Sequence, residues 1–193
     1  MNVVIIKYNA GNIHSVRLAL NRLKIEPVVS DDANVIESAD KVIFPGVGEA
    51  SSAMNYLNTH NLANVIKGLK QPFLGICLGL QLMCNHSQEN DTGCLKLFDT
   101  DVLKFPPVLK VPHIGWNSIT GLISPLFKDI PEKSFVYFVH SYYAGVCDNT
   151  IARTEYSLNF SAALQLNNYF AVQFHPEKSG EVGANILNNF IQL

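Results

Sequence analysis

Short apolar runs alternate with segments whose apolar residues recur at helical spacing. In the amino-terminal half the apolar runs lie at 3–6, 27–29, 41–44 and 73–76, and the helical stretches at 16–23, 50–57 and 62–69. Parallel strands need crossover helices, which cover the sheet on both faces. The alternation therefore predicts an α/β fold with three layers, an open and mostly parallel sheet of the flavodoxin-like kind between two layers of helices.

The carboxyl-terminal half has a different pattern. Residues 102–143 are rich in β-branched and aromatic side chains and are interrupted by prolines, which favours antiparallel strands and loops. A strand is predicted at 170–174 and a terminal helix at 183–191. No repeat or linker separates the two halves, so we expect one domain over residues 1–193.

A cysteine flanked by glycines follows the apolar residues at 73–74. Residues 75–79 read Gly-Ile-Cys-Leu-Gly, and a helix-like stretch continues at 80–84. At a sharp strand-to-helix turn the central residue projects from the carboxyl edge of the sheet, and the glycines let strand and helix approach closely. The N–H groups of the helix start would stabilise a Cys77 thiolate. Cys77 is therefore a candidate nucleophile, with a buried structural cysteine as the alternative.

A histidine and a glutamate form a second motif about a hundred residues later. Residues 174–177 read Phe-His-Pro-Glu, and in an extended segment the side chains of His175 and Glu177 would point the same way. A cysteine nucleophile needs a base, and the base needs a third group that orients it. Cys77, His175 and Glu177 are thus a candidate catalytic triad. A core histidine beside a surface glutamate is the alternative for this pair alone.

These motifs resemble the class I (triad) glutamine amidotransferases. Further segments are similar to one branch of them, the glutaminase subunits of imidazole glycerol phosphate synthase. These are Tyr-Asn-Ala-Gly-Asn at 8–12, Pro-Gly-Val-Gly at 45–48, Pro-His-Ile-Gly-Trp-Asn at 112–117, Tyr-Phe-Val-His-Ser-Tyr at 137–142 and Phe-His-Pro-Glu-Lys-Ser at 174–179. The resemblance runs from end to end of the chain.

The resemblance implies an activity and a partner. Such a chain hydrolyses L-glutamine to L-glutamate and ammonia through a thioester on Cys77, without metal or cofactor. It passes the ammonia to a (βα)8-barrel cyclase subunit in a heterodimer. The cyclase uses the ammonia to make imidazole glycerol phosphate and an aminoimidazole carboxamide ribotide in L-histidine biosynthesis.

Further site residues follow from the motif and from the resemblance. A tetrahedral intermediate needs backbone donors, and the Leu78 N–H directly after the nucleophile is one candidate. The resemblance implies a second donor from Val47 or Gly48. It also implies substrate contacts by the residues Gln81, Glu89, Ser141 and Tyr142. The residues it implies at the partner interface are Asn12, Trp116 and Lys178.

Composition and charge narrow the function classes. The net charge of −2 gives no reason to expect nucleic acid or a membrane surface as partner. The amino terminus lacks a basic segment followed by a long apolar core, so we expect a cytoplasmic protein. The four cysteines, at 77, 84, 94 and 147, lack zinc-ligand spacing, and no disulfide framework is expected.

Three other functions fit parts of the pattern. The chain could be the glutaminase of another ammonia-using synthase, for anthranilate, guanylate or pyridoxal phosphate. It could be a non-catalytic interaction subunit on the same fold, or a different cysteine hydrolase built on a similar elbow. A glutaminase assay and the identity of the copurifying synthase distinguish these possibilities.

Overall fold

A seven-stranded sheet forms the centre of the molecule. The computed structural model describes residues 1–9 and 12–193, so the Ala10 and Gly11 part of the 8–12 motif lies outside the described residues. The strands are β1 Val3–Ile6, β2 Val28–Ser30, β3 Lys41–Phe44, β4 Phe73–Ile76, β5 His86–Ser87, β6 Thr92–Gly93, β7 Val102–Lys104, β8 His113–Ser118, β9 Phe135–His140, β10 Tyr142–Ala144, β11 Thr150–Tyr156, β12 Leu158–Leu166 and β13 Tyr169–Val172. The helices are α1 Ile13–Arg22, α2 Ala33–Glu37, α3 Ala50–Thr59, α4 Leu62–Gly68, α5 Leu78–Leu82 and α6 Gly180–Gln192.

The order of the strands in the large sheet is β11-β12-β13-β4-β3-β1-β2. Five strands, from β13 to β2, are parallel, and β12 and β11 extend the sheet in antiparallel fashion. The predicted α/β class with a mostly parallel sheet is confirmed. The sequence did not indicate β11 and β12. The antiparallel strands that it predicted at 102–143 are present, but outside the large sheet. They form a separate hairpin, β8–β9, and part of a four-stranded sheet of β5, β6, β7 and β10.

Helices cover both faces of the large sheet. Along β1, Val4 and Ile6 belong to one buried cluster and Val3 and Ile5 to the other, as expected for a strand with successive side chains on opposite faces. The first cluster contains the buried apolar side chains of α2, α3, α4 and α5, and the second contains those of α1 and α6. The two clusters give the three layers that the sequence predicted.

Glycines allow the β4–α5 turn to pack against the end of β3. A Cβ on Gly46 would lie 2.5 Å from the Gly79 nitrogen, and a Cβ on Gly79 would overlap the carbonyl oxygen of Phe44. A Cβ on Gly75 would lie 2.6 Å from the Met83 sulfur. These close approaches fix the position of the first turn of α5 on the sheet, and hence the position of Cys77.

We expect Gly79→Ala to destabilise the protein by at least about 2 kcal/mol, because the added methyl group would overlap backbone atoms that cannot easily move. Gly68→Ala is the matched control, since nothing lies within 4 Å of a Cβ at this helical position. The control should be neutral or more stable by up to about 1 kcal/mol. Chemical unfolding of both variants measures the difference, and equal stabilities would contradict the packing argument.

Candidate active site

Cys77 stands at the turn between β4 and α5 in a strained backbone conformation. Its φ is 54° and its ψ is −107°, a region that residues with a side chain rarely adopt. Its N–H donates to the Val172 carbonyl at 2.8 Å, which joins the turn to the neighbouring strand β13. The side chain is 6% exposed and lines a cavity. This geometry is the one that the glycine spacing predicted.

His175 and Glu177 form a buried pair behind the cysteine. Nδ1 of His175 lies 2.8 Å from Oε1 of Glu177, and His175 is only 1% exposed. The expectation of an extended segment is wrong, because residues Pro176–Lys178 form a 3-10 turn. The turn brings the Glu177 carboxylate back onto the ring of His175, the residue that directly precedes the turn. The Ser179 hydroxyl donates to the His175 carbonyl at 2.6 Å and so closes the turn.

The surroundings of His175 favour its charged form. Burial alone would lower the pKa of its imidazole, but the Cys77 thiolate and the Glu177 carboxylate outweigh burial and raise the pKa from 6.5 to about 10. Nε2 of His175 and Oε2 of Glu177 are buried without a hydrogen-bond partner among the described residues. A protonated His175 next to Cys77 would stabilise a thiolate, the form in which a cysteine acts as a nucleophile.

Two other buried cysteines, Cys84 and Cys94, have the opposite character. Burial raises the pKa of Cys84 well above its usual range, and burial with Asp101 raises that of Cys94 to about 12. Both are therefore neutral, inert thiols at physiological pH. Burial and the nearby Cys77 also raise the pKa of Tyr8, so this phenol stays protonated.

A cavity of about 280 Å³ opens in front of the cysteine. It is lined by Val47, Gly48, Cys77, Leu78, Gln81, Glu89, Val139, His140, Ser141 and Tyr142. The four residues predicted to bind substrate and the three predicted to supply oxyanion donors thus all border one cavity with Cys77. His175 and Glu177 lie behind Cys77 and are not part of the cavity wall.

The side-chain amide of Gln81 has only one free group. Its Nε2 donates to the Tyr142 carbonyl at 2.9 Å and to Oε1 of Gln173 at 3.1 Å. An amide nitrogen has two hydrogens, so both are used and only Oε1 remains for a ligand in the cavity. Gln81 can therefore accept a hydrogen bond from a ligand but cannot donate one.

Glu89 faces the cavity from a 3-10 turn, Glu89–Asp91, and contacts the start of helix α3. Its Oε2 accepts a hydrogen bond from the Ala50 N–H at 2.7 Å. Partial burial raises the pKa of its carboxyl group, against the effect of that hydrogen bond, and Glu49 raises it further. A cationic group in the cavity would offset both the partial desolvation of the Glu89 carboxylate and its repulsion by Glu49.

The Leu78 N–H, predicted as an oxyanion donor, donates to the Gly46 carbonyl at 3.4 Å. This is a long hydrogen bond and therefore a weak one. Val47 and Gly48 are exposed at the cavity mouth, and Gly48 has a φ of 118°, which favours glycine. The three predicted donors are thus grouped around Cys77, with one of them engaged by the neighbouring loop.

The residues predicted at a partner interface lie in the 3-10 turn after His175 or close to it. Nδ2 of Asn12 lies 3.4 Å from Oε1 of Glu177, so Asn12 contacts the buried pair directly. Trp116 is 55% exposed, with its ring edge against Tyr137, and Lys178 is exposed. An exposed tryptophan next to this turn is typical of a protein contact.

The sequence reasoning missed three buried polar residues of the site, Gln173, His113 and His140. Nδ1 of His140 donates to the Tyr142 carbonyl at 2.7 Å, so its Nε2 accepts from Nδ1 of His113 at 3.1 Å. Burial lowers the pKa of His113 to about 4 and that of His140 to about 3, so both rings are neutral. The sequence did contain a signal for them, because each is a polar residue within or next to an apolar strand segment.

Comparison with known proteins identifies the family. The sequence model of the family "Glutamine amidotransferase class-I" matches residues 5–193. The chain belongs to the class-I glutamine amidotransferases. This glutamine amidotransferase is 55% identical to the imidazole glycerol phosphate synthase subunit HisH of Bacteroides thetaiotaomicron and 56% identical to that of Bacteroides fragilis. Both alignments cover 100% of each chain. The family predicted from the motifs is confirmed.

Solved structures show the same fold at low sequence identity. The structure of PurLQS from Thermotoga maritima matches with a TM-score of 0.76 at 17% identity, over 99% of this chain and 97% of the other. At this identity the likeness concerns the fold alone. Over residues 1–9 and 12–193, no helix of this glutamine amidotransferase is long and apolar enough to cross a membrane.

We expect the His175 ring to remain protonated until the pH approaches about 10. In Cys77→Ala its titration should move to lower pH, because one of the two negative partners is lost. NMR of protein with 15N-labelled histidine measures this, with His113 as the control that stays neutral at pH 7. Identical His175 titrations in both proteins would contradict the assignment of Cys77 as a charged partner of His175.

Protonated His175 also stabilises the fold below pH 6.5, and this stability is lost as the pH rises towards 10.

Proposed function

We propose that this chain is the glutaminase subunit of imidazole glycerol phosphate synthase, acting in the cytoplasm as a single domain over residues 1–193. The observation that carries the proposal is the buried His175–Glu177 pair behind a strained Cys77 that opens into a cavity. Full-length identity of 55% to the HisH subunit of Bacteroides thetaiotaomicron supports this branch over other glutaminases.

In the proposed reaction the Cys77 thiolate attacks the side-chain carboxamide carbon of L-glutamine. The carbonyl electrons move to oxygen, where N–H groups of the elbow and of the Val47–Gly48 peptide stabilise the negative charge. The C–N bond then breaks, and the imidazolium of His175 gives its proton to the leaving nitrogen, which departs as ammonia. His175 next takes a proton from water, which attacks the thioester and releases L-glutamate and Cys77.

Charge complementarity in the cavity favours an amino acid. Gln81 offers only an acceptor and Glu89 a carboxylate, and both suit the α-ammonium group of glutamine. The backbone of Ser141 and Tyr142 holds the carboxylate end of the substrate. A ligand without the ammonium group would leave Glu89 partly buried and uncompensated, which gives the site a means of discrimination.

The proposed partner is a (βα)8-barrel cyclase subunit in a heterodimer, which receives the ammonia. Asn12, Trp116 and Lys178 lie around the catalytic turn and form the contact. Through Asn12 this contact reaches Glu177 directly, at 3.4 Å. Docking can therefore affect the orientation of His175 without any long pathway.

We expect Cys77→Ser to reduce glutamine-dependent glutamate release by at least about a thousandfold, because a serine hydroxyl is a much poorer nucleophile here. With added ammonium salt, the complex with the cyclase should still make imidazole glycerol phosphate. A glutamine-analogue alkylating agent should modify Cys77 but not Cys84 or Cys94, whose pKa values are raised. Product assays and peptide mass spectrometry measure these effects. Near wild-type glutamate release by Cys77→Ser would disprove the nucleophile assignment.

We also expect the chain alone to be a slow glutaminase that becomes active when a cyclase carrying its nucleotide docks. The Leu78 N–H already donates to the Gly46 carbonyl, so stabilisation of an oxyanion depends on the exposed Val47–Gly48 peptide, which the glycine allows to rest in an unaligned orientation. The partner must favour the aligned form over the resting one. Glutamate release by the chain alone, with the cyclase and with cyclase plus nucleotide tests this. Equal rates in all three would describe a constitutive hydrolase instead.

A further inference from the structure

Gln173 is fully buried and contacts Cys77 and Gln81, two residues that line the cavity. It follows strand β13 directly, and its own N–H donates to the Ala162 carbonyl at 2.8 Å. Its side-chain Nε2 is 3.7 Å from Sγ of Cys77, and its Oε1 accepts from Nε2 of Gln81 at 3.1 Å. One amide therefore contacts both the candidate nucleophile and a residue of the cavity wall.

The directions of these hydrogen bonds determine each other. The Tyr142 carbonyl can only accept, so it requires one N–H of Gln81. The second N–H of Gln81 then points to Oε1 of Gln173, which turns Nε2 of Gln173 towards the sulfur. The neutral His140 donates to the same Tyr142 carbonyl and holds it in position.

We propose that Gln173 is a further catalytic residue, which donates a hydrogen bond to the Cys77 sulfur and at the same time holds the Gln81 carbonyl towards the substrate. The second part of this statement rests on the proposed function. The first part concerns the reactivity of the thiol and holds for any electrophile that enters the cavity.

A neutral amide suits this position better than a charged donor. The sulfur faces two titratable groups, His175 and Tyr8, and Glu177 lies behind the histidine. An additional cation would compete with His175 for the thiolate and lower the pKa of its imidazolium, so that less of the ring would hold the proton that the leaving nitrogen needs. The amide of Gln173 does not titrate, so it stabilises the thiolate while His175 remains the group that carries the proton.

Gln173→Met removes both functions while keeping a side chain of similar length. The pH midpoint for alkylation of Cys77 by iodoacetamide should rise by about one unit, since a hydrogen bond to the charged form favours that form. In the complex with the cyclase, the KM for glutamine should rise by about tenfold, because Gln81 is no longer held in place. Peptide mass spectrometry identifies Cys77 as the modified residue.

Gln173→Glu separates the two functions. Its carboxylate still accepts the hydrogen bond from Gln81, so the KM for glutamine should stay within about threefold of wild type. It offers no donor to the sulfur and adds a negative charge beside it, so the alkylation midpoint should rise at least as much as in Gln173→Met. This variant also tests the thiol function if Gln173→Met does not fold.

Gln165→Met is the matched control, because Gln165 lies on β12 with its amide bound to Ser124. It should leave both the alkylation midpoint and the KM unchanged. Wild-type midpoints in both Gln173 variants would overturn the sulfur contact, and a wild-type KM in Gln173→Met would overturn the role in holding Gln81. A wild-type protein that does not hydrolyse glutamine would disprove the proposed function instead, while the alkylation midpoints would still test the contact.

Discussion

The strained backbone of Cys77 is the constraint on which the site depends. A φ of 54° in a residue with a side chain costs of order 1 kcal/mol or more, and it persists because the packing around it leaves no alternative. Gly46 and Gly79 allow the end of β3 and the first turn of α5 to touch, and side chains at either position would separate them. The same contact also brings the Pro45–Gly48 loop next to the sulfur. The candidate nucleophile and the candidate oxyanion donors are therefore positioned together by one packing contact.

The groups around the sulfur divide into a charged side and a neutral side. On the charged side, His175 and Glu177 are shielded from water, so their attraction is strong and the imidazolium is favoured. On the neutral side, Gln173 and Gln81 form a hydrogen-bonded network that ends at the Tyr142 carbonyl. This separation keeps the proton on His175, because the amides of Gln173 and Gln81 do not titrate.

The sequence predicted those parts of the fold for which the signals were local. The β-branched runs at Val3–Ile6 and Lys41–Phe44 are buried strands as expected, and the glycine spacing predicted the Cys77 turn. Strand β12 was not predicted, because it is held in the sheet by pairing with β11 and β13 rather than by a local signal.

Contacts between residues that are far apart in the chain could not be predicted from the sequence either. Gln173 and Gln81 are 92 positions apart, and His113 and His140 are 27 apart, so no spacing rule connects them. The His175–Glu177 pair of the candidate triad could be predicted because its two residues are only two positions apart in the chain. The predicted extended conformation of this segment was wrong, since His175 and Glu177 meet through a 3-10 turn.

The Pro45–Gly48 loop has a fixed part and a free part, and this limits how the site can be switched. Gly46 is buried against Gly79, so its carbonyl stays beside the Leu78 N–H. Val47 and Gly48 are exposed and can rotate their shared peptide, and the φ of 118° at Gly48 costs glycine little. A partner that changes the activity by aligning donors therefore needs to reorient only the Val47–Gly48 peptide. Such a small rearrangement is within the free energy that a single docking contact can supply.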